Sequence, residues 1–171
     1  MEEQAATQTE KLLIANTFGA LLFNIFIMAV IPGLGEEFFF RGTLQRIISD
    51  AKGAVWAIWV TAFIFSAVHM QFYGFIPRLL LGAFFGYLLV WSGNIWLPIV
   101  AHFVYNAITV VFHYLSNNGC LVIDIDIIGT GNTWWQGFVC GLIFVFGIYF
   151  LKNTLKKQKL VANDKNLKTN T

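Results

Sequence analysis

Charged residues are scarce in this sequence. Only 12% of its 171 residues are charged, whereas 57% are hydrophobic, and the mean hydropathy is +0.67. A soluble domain carries about 25% charged residues, so the composition excludes an ordinary soluble globular protein. We therefore predict an all-α, polytopic integral membrane protein with a single membrane domain.

Cysteines are few, and the sequence contains no internal repeat. The two cysteines, Cys120 and Cys140, have no metal-binding or redox spacing. A disulfide between them is not expected, since one lies in a polar connection and the other in an apolar segment. The absence of an internal repeat argues against a transporter assembled from repeated halves.

The apolar residues form about six segments. A membrane-spanning helix needs about 20 consecutive apolar residues. Pro32, Gly33 and Gly35 disfavour continuation of the first segment, so we predict a break there and a short second helix. The predicted segments are Leu12–Ile31, Glu36–Ser49, Ala54–Met70, Phe75–Trp91, Ile95–Leu115 and Trp134–Leu151.

Lysines are concentrated at the end of the chain. They predict a cytoplasmic C-terminus, and counting back six segments places the N-terminus inside as well. The expected location is a bacterial plasma membrane. Arg78 departs from this charge pattern. Residues 1–151 are predicted to form the membrane domain, and the polar, lysine-rich residues 152–171 a disordered cytoplasmic tail.

A few ionisable residues interrupt the apolar segments. Each charge at membrane depth costs about 2.5–3.5 kcal/mol on insertion scales, so each needs a partner or a function. Three pairs have the i,i+4 spacing that places both members on one helix face: Glu37 with Arg41, Phe65 with His69, and His102 with Asn106.

The carboxylate, histidine and asparagine side chains of these segments are of the types that catalyse amide hydrolysis. A carboxylate and a histidine can hold and deprotonate a water, and a histidine–asparagine pair can donate two hydrogen bonds to one oxygen. A base, a water and two donors suffice for hydrolysis through a tetrahedral oxyanion.

The three pairs resemble the motifs of the CAAX protease and bacteriocin-processing family of intramembrane proteases. The family pattern is Glu-Glu-x-x-x-Arg, Phe-x-x-x-His and His-x-x-x-Asn or Asp. Glu36–Arg41, Phe65–His69 and His102–Asn106 match it in order, on separate predicted helices. The resemblance covers roughly residues 31–114.

The resemblance implies an intramembrane endopeptidase in which two residues activate water, two form an oxyanion hole and three support the site. The water-activating pair is Glu36 and His69, the oxyanion pair His102 and Asn106, and the supporting residues are Glu37, Arg41 and Phe65.

No metal or other cofactor is implied, because the family is generally regarded as using a glutamate. The sequence has no His-Glu-x-x-His motif, and a Glu, His, His, Asn set is poor for zinc. Zinc is kept as the alternative.

The expected partners are membrane-associated or lipidated peptide or protein substrates and membrane lipid, not nucleic acid. One rival function is a non-catalytic membrane binding protein, such as a bacteriocin-immunity factor, and another is a transporter or proton relay. Family members commonly have further helices before the double glutamate, whereas this chain has one. A minimal member, a truncated chain and a late-started reading frame are the alternatives.

Overall fold

The computed structural model describes residues 13–72, 74–120, 149 and 152–154. The chain divides into two compact units, 1–121 and 122–171, and the first contains the four helices described here. Within the described ranges the structure has only helices and their connecting turns, so the all-α prediction is confirmed. The helices are α1 (Phe18–Lys52), α2 (Ala54–Ala67), α3 (Phe75–Ser92) and α4 (Trp96–Asn117).

The first helix is continuous over 35 residues, so the predicted break at Pro32 and the separate short second helix are wrong. At roughly 1.5 Å per residue, α1 is longer than the hydrocarbon core is thick. It alternates between α-helical and π-helical stretches. These are Phe18–Ile25 (α), Phe26–Val30 (π), Ile31–Glu37 (α), Phe38–Leu44 (π) and Gln45–Lys52 (α).

The π-helical stretch before Pro32 explains how the helix continues through a proline. There the Ile31 N–H donates to the Phe26 carbonyl, five residues back, so a new α-helical stretch starts at Ile31. Pro32 then occupies its first turn, where a missing N–H is tolerated. A complete break would have left backbone groups without partners in lipid, where each costs several kcal/mol.

The other helices lie close to their predicted positions. Helices α1, α3 and α4 are long and apolar enough to cross a membrane, and α2 is a shorter apolar helix. Many large apolar side chains on them are exposed, as expected for surfaces that face lipid. The total of six segments is not tested, since most of Trp134–Leu151 lies outside the described residues. So do Cys140 and residues 155–171, and the domain boundary after residue 151 stays a prediction.

Glycines allow the helices to approach one another closely. A Cβ on Gly33 of α1 would lie 3.3 Å from the Phe103 backbone nitrogen of α4. On α3, a Cβ at Gly86 would lie 2.8 Å from Gln45 Oε1 of α1 and 3.1 Å from Ile58 of α2. Small residues at helix contacts are typical of membrane bundles. Gly33 therefore serves helix packing.

We expect Gly33→Leu to destabilise the bundle by about 1–3 kcal/mol, because an added side chain overpacks the α1–α4 contact. Gly35→Leu is the matched control, since a Cβ at Gly35 meets nothing within 4 Å. Thermal unfolding of both variants in detergent measures the difference. Equal unfolding temperatures would contradict the close α1–α4 contact.

Candidate active site

The four residues predicted to be catalytic line one cavity of about 450 Å³. Glu36 comes from the middle of α1, His69 from the turn after α2, and His102 and Asn106 from α4. The structure thus brings together residues that are up to 70 positions apart in the sequence. Their individual catalytic roles stay predictions.

The carboxylate of Glu37 is shared by two cationic or hydrogen-bonding partners. Its Oε1 accepts from Arg41 Nη1 at 2.9 Å and lies 2.8 Å from His102 Nδ1. Glu37 and Arg41 are almost completely buried. An ionised carboxylate can only accept, so His102 carries a proton on Nδ1. Glu37 thereby fixes the orientation of the His102 ring.

The opposite ring nitrogen of His102 lies near the second carboxylate. Its Nε2 is 3.9 Å from Glu36 Oε2, and the Glu36 side chain is 31% exposed. The ring stacks on Phe85 of α3, with centroids 4.9 Å apart and an interplanar angle of 23°. His102 is therefore held by a hydrogen bond at one edge and by an aromatic ring against its face.

Arg41 links α1 to the two neighbouring helices. Its Nη2 donates to the Gly82 carbonyl of α3 at 2.8 Å. Its guanidinium carbon lies 4.6 Å from the centre of the Phe65 ring of α2 and 5.4 Å from that of Phe85 of α3. Such cation–π contacts are worth most where the cation is desolvated. With Phe40 at 6.0 Å as well, the guanidinium has a carboxylate, a carbonyl and three aromatic rings around it.

His69 lies in a turn beyond the end of α2, so the prediction that α2 continues to Met70 is wrong. Its Nδ1 lies 2.7 Å from the Phe65 carbonyl oxygen. A carbonyl only accepts, so this nitrogen carries the proton, and Nε2 of the neutral ring is left with its lone pair. The Phe65 ring packs edge-on against His69 at 5.0 Å and lies 6.1 Å from His102.

Asn106 lies one turn after His102 on α4 and lines the same cavity. Within the described ranges, nothing donates to or accepts from its half-buried amide. The amide is therefore available to a bound molecule.

The family model for Rce1-like proteins, described as type II CAAX prenyl endopeptidase, matches residues 18–108, more than half of the chain. The chain belongs to the Rce1-like family. Together with the three membrane-length helices, this membership makes it an integral membrane protein.

A curated relative is the uncharacterized protein YpbD of Bacillus subtilis, 28% identical over 89 residues. The match covers 50% of this chain and 43% of YpbD, so the chain spans less than half the length of that relative. No solved structure matches the chain significantly.

The sequence motifs of this Rce1-like site did not include the residues of α3 that contact it. Gly82 supplies the carbonyl that holds Arg41, and a Cβ there would lie 3.1 Å from the Phe65 ring. Phe85 stacks on His102. The spacing of Gly82 and Gly86, typical of helix contacts in membranes, is a signal that could have identified α3 as the helix packed against the motifs.

A π-helical stretch follows the double glutamate, and no sequence motif predicted it. From Phe38 to Leu44 the helix is widened, and the Gln45 N–H donates to the Phe40 carbonyl five residues back. The Thr43 hydroxyl donates to the Phe38 carbonyl at 3.2 Å. Such stretches occur frequently at functional sites, and here one holds Arg41.

The arrangement gives little support to a zinc site. Catalytic zinc takes three protein ligands, and among the described residues no three His, Cys, Asp or Glu side chains converge in a way that would hold a metal ion. Glu37 is already bonded to Arg41 and His102. The residues therefore do not fit zinc, and a metal-free reaction stays a prediction.

We expect Arg41→Met to destabilise the protein by about 3–5 kcal/mol, because it leaves the Glu37 carboxylate buried without its cation. Adding Glu37→Gln removes that charge and should restore much of the loss. Unfolding in detergent measures the free energies of both variants.

Arg46→Met is the matched control, since Arg46 is an exposed arginine on the same helix. If Arg41→Met and Arg46→Met lowered the free energy of unfolding by the same small amount, the result would contradict a buried ion pair at Glu37.

Proposed function

We propose that this chain is an intramembrane endopeptidase that hydrolyses peptide bonds of membrane-associated or lipidated substrates. The observation that carries the proposal is the shared cavity, in which Glu36, His69, His102 and Asn106 converge from three parts of the bundle. Membership of the Rce1-like family supports the same reaction class.

In the proposed first step, Glu36 and His69 activate a water. Glu36 is the more accessible of the two adjacent carboxylates, and no hydrogen bond within the described ranges occupies it. His69 keeps a lone pair on Nε2, because its Nδ1–H is bonded to the Phe65 carbonyl. One group takes the proton and the other orients the water, which is general-base catalysis.

In the proposed second step, His102 and Asn106 stabilise the oxyanion as the water attacks the scissile carbonyl. The Nδ1–H of His102 is committed to Glu37, so Nε2 donates only when the ring carries two protons. The Glu37 carboxylate, which is bonded to Nδ1, balances that positive charge. The intermediate then collapses as the base returns its proton to the leaving amine, without an acyl-enzyme or a metal.

We also propose that the protein resides in a bacterial plasma membrane with its C-terminus in the cytoplasm. The lysines that follow residue 151 support this orientation by the positive-inside rule. The similarity to a Bacillus subtilis protein supports a bacterial membrane.

We expect Glu36→Gln to lower kcat by about 10²–10⁴-fold, the usual contribution of a general base, while the protein unfolds at the same temperature. Asp50→Asn is the matched control, since it neutralises an exposed carboxylate on the same helix. Cleavage of a panel of lipidated fluorogenic peptides, with and without chelator, provides the measurement.

Retained turnover in Glu36→Gln would overturn the mechanism, and loss of wild-type activity with chelator would replace it with a metal-dependent one. A well-folded wild type that cleaves nothing would favour a non-catalytic binding or immunity protein.

Asn106→Ala should lower kcat by about 10²–10³-fold, the usual loss for one oxyanion donor, and change KM little. Its amide contributes mainly when charge develops on the carbonyl oxygen. Asn117→Ala is the control, since Asn117 is exposed at the end of the same helix. A large rise in KM with unchanged kcat would assign Asn106 to substrate binding instead.

A further inference from the structure

The turn that carries His69 contains a strained residue. His69 follows α2, and the next residue, Met70, has a φ of 52°. This angle lies in the left-handed region, which residues other than glycine seldom adopt. Among the described residues, Met70 is the only non-glycine residue with a positive φ. Such a conformation persists only where the surrounding structure holds it, so the position of His69 depends on the contacts that fix this turn.

Two hydrogen bonds tie the turn to the start of α3. The buried hydroxyl of Ser66, near the end of α2, donates to the Phe75 carbonyl at 2.7 Å. Within the turn, Gln71 Oε1 accepts from Nη2 of Arg78, which lies in the first turn of α3. Gln71 is only two residues after His69. The bond between Arg78 and Gln71 therefore holds the turn close to the point where it carries His69.

The surroundings of Arg78 commit its guanidinium to this contact. Its Nη2 lies 3.0 Å from the point where a Cβ on Gly74 would be, so a larger residue at position 74 would displace the guanidinium from Gln71. Its Nη1 is buried without a hydrogen-bond partner among the described residues. Neither a substrate nor a lipid headgroup reaches that nitrogen. The side chain lines the cavity beside His69 and acts there as part of its wall.

We propose that Arg78 is a positioning residue, which holds Gln71 and so fixes the turn that presents His69 to the cavity. The bond from His69 Nδ1 to the Phe65 carbonyl orients the ring only while the turn keeps the His69 backbone in place. Precision matters here, because a misplacement of about 1 Å can cost about 10²-fold in rate. This inference rests on the proposed function, since it names a residue that positions the water-activating histidine of the same cavity.

The alternative is that Arg78 acts directly, either on a bound molecule or at the membrane surface, towards which arginines near helix ends commonly extend. A direct role would not involve Gln71. Substitutions at the two positions therefore separate a positioning role from a direct one.

The test observes His69 without requiring turnover. The full chain is labelled with ¹⁵N in its histidine rings and studied by NMR in detergent micelles, and the signals that disappear in His69→Gln belong to His69. The wild type should show the tautomer with its proton on Nδ1, as the bond to the Phe65 carbonyl requires. Arg78→Met and Gln71→Leu should each shift these signals, because the turn loosens and both tautomers become populated.

We expect the double variant Arg78→Met/Gln71→Leu to match either single variant, because both substitutions remove the same hydrogen bond. Gln71→Glu should keep the wild-type His69 signals, since it keeps an acceptor of the same length. Arg46→Met, at an exposed arginine of α1, is the matched control and should leave the signals unchanged. For a peptide that the wild type cleaves, Arg78→Met and Gln71→Leu should each lower kcat about 10–10²-fold and change KM little.

Unchanged His69 signals in a folded Arg78→Met variant would overturn the inference. Additive effects of the two substitutions would do so too, as would an effect of Arg78→Met that Gln71→Leu does not share. If Arg78→Met does not fold, the comparison of Gln71→Leu with Gln71→Glu decides the question, and identical His69 signals in those two variants overturn the inference.

Wild-type cleavage is assayed separately. Cleavage by the wild type, combined with His69 signals that the variants leave unchanged, overturns only the role of Arg78. Altered His69 signals in the variants, combined with a wild type that cleaves nothing, overturn only the protease.

Discussion

The described part of the bundle depends on the contacts that the Glu37 carboxylate makes with its two partners. The carboxylate is completely buried and is bonded to Arg41 and to His102. Arg41 in turn reaches Gly82 on α3 and the ring of Phe65 on α2, so a single charge connects all four helices. Removing one partner of such a pair costs far more than the pair itself contributes, and this constraint fixes the positions of the helices around the cavity.

The same constraint explains why two glutamates stand side by side. Adjacent residues on a helix do not share a face, so only one of them can occupy the packed interior. Glu37 does so, and Glu36 is left at the cavity with 31% of its side chain exposed. The inner carboxylate holds the structure while the outer one is accessible to water and substrate. In the proposed mechanism, the double glutamate therefore combines a structural and a chemical carboxylate in one helical turn.

The sequence predicted which residues lie together around the cavity better than it predicted the path of the chain. The spacing of the motifs is local, so it singled out individual side chains, and the structure places Glu36, His69, His102 and Asn106 around one cavity. The predicted break at Pro32 was wrong, because a π-helical stretch before the proline lets the helix continue. An interrupted backbone would also leave polar groups without partners in lipid. Gly33 was interpreted as a helix breaker but provides a close contact with α4. The contact between Arg41 and Gly82 joins residues 41 positions apart, and no local pattern encodes such a pair.

The two histidines differ in the group that holds each ring, and this difference bears on the chemistry. His69 donates Nδ1–H to the Phe65 carbonyl, so Nε2 is the ring nitrogen left for other partners. His102 bonds through Nδ1 to the Glu37 carboxylate and has the Glu36 carboxylate 3.9 Å from its other nitrogen, so both edges of its ring face a carboxylate. In the proposed mechanism, these different partners suit the two histidines to opposite roles. Amide hydrolysis by an activated water requires both roles, since one group must take a proton while another donates to the developing oxyanion.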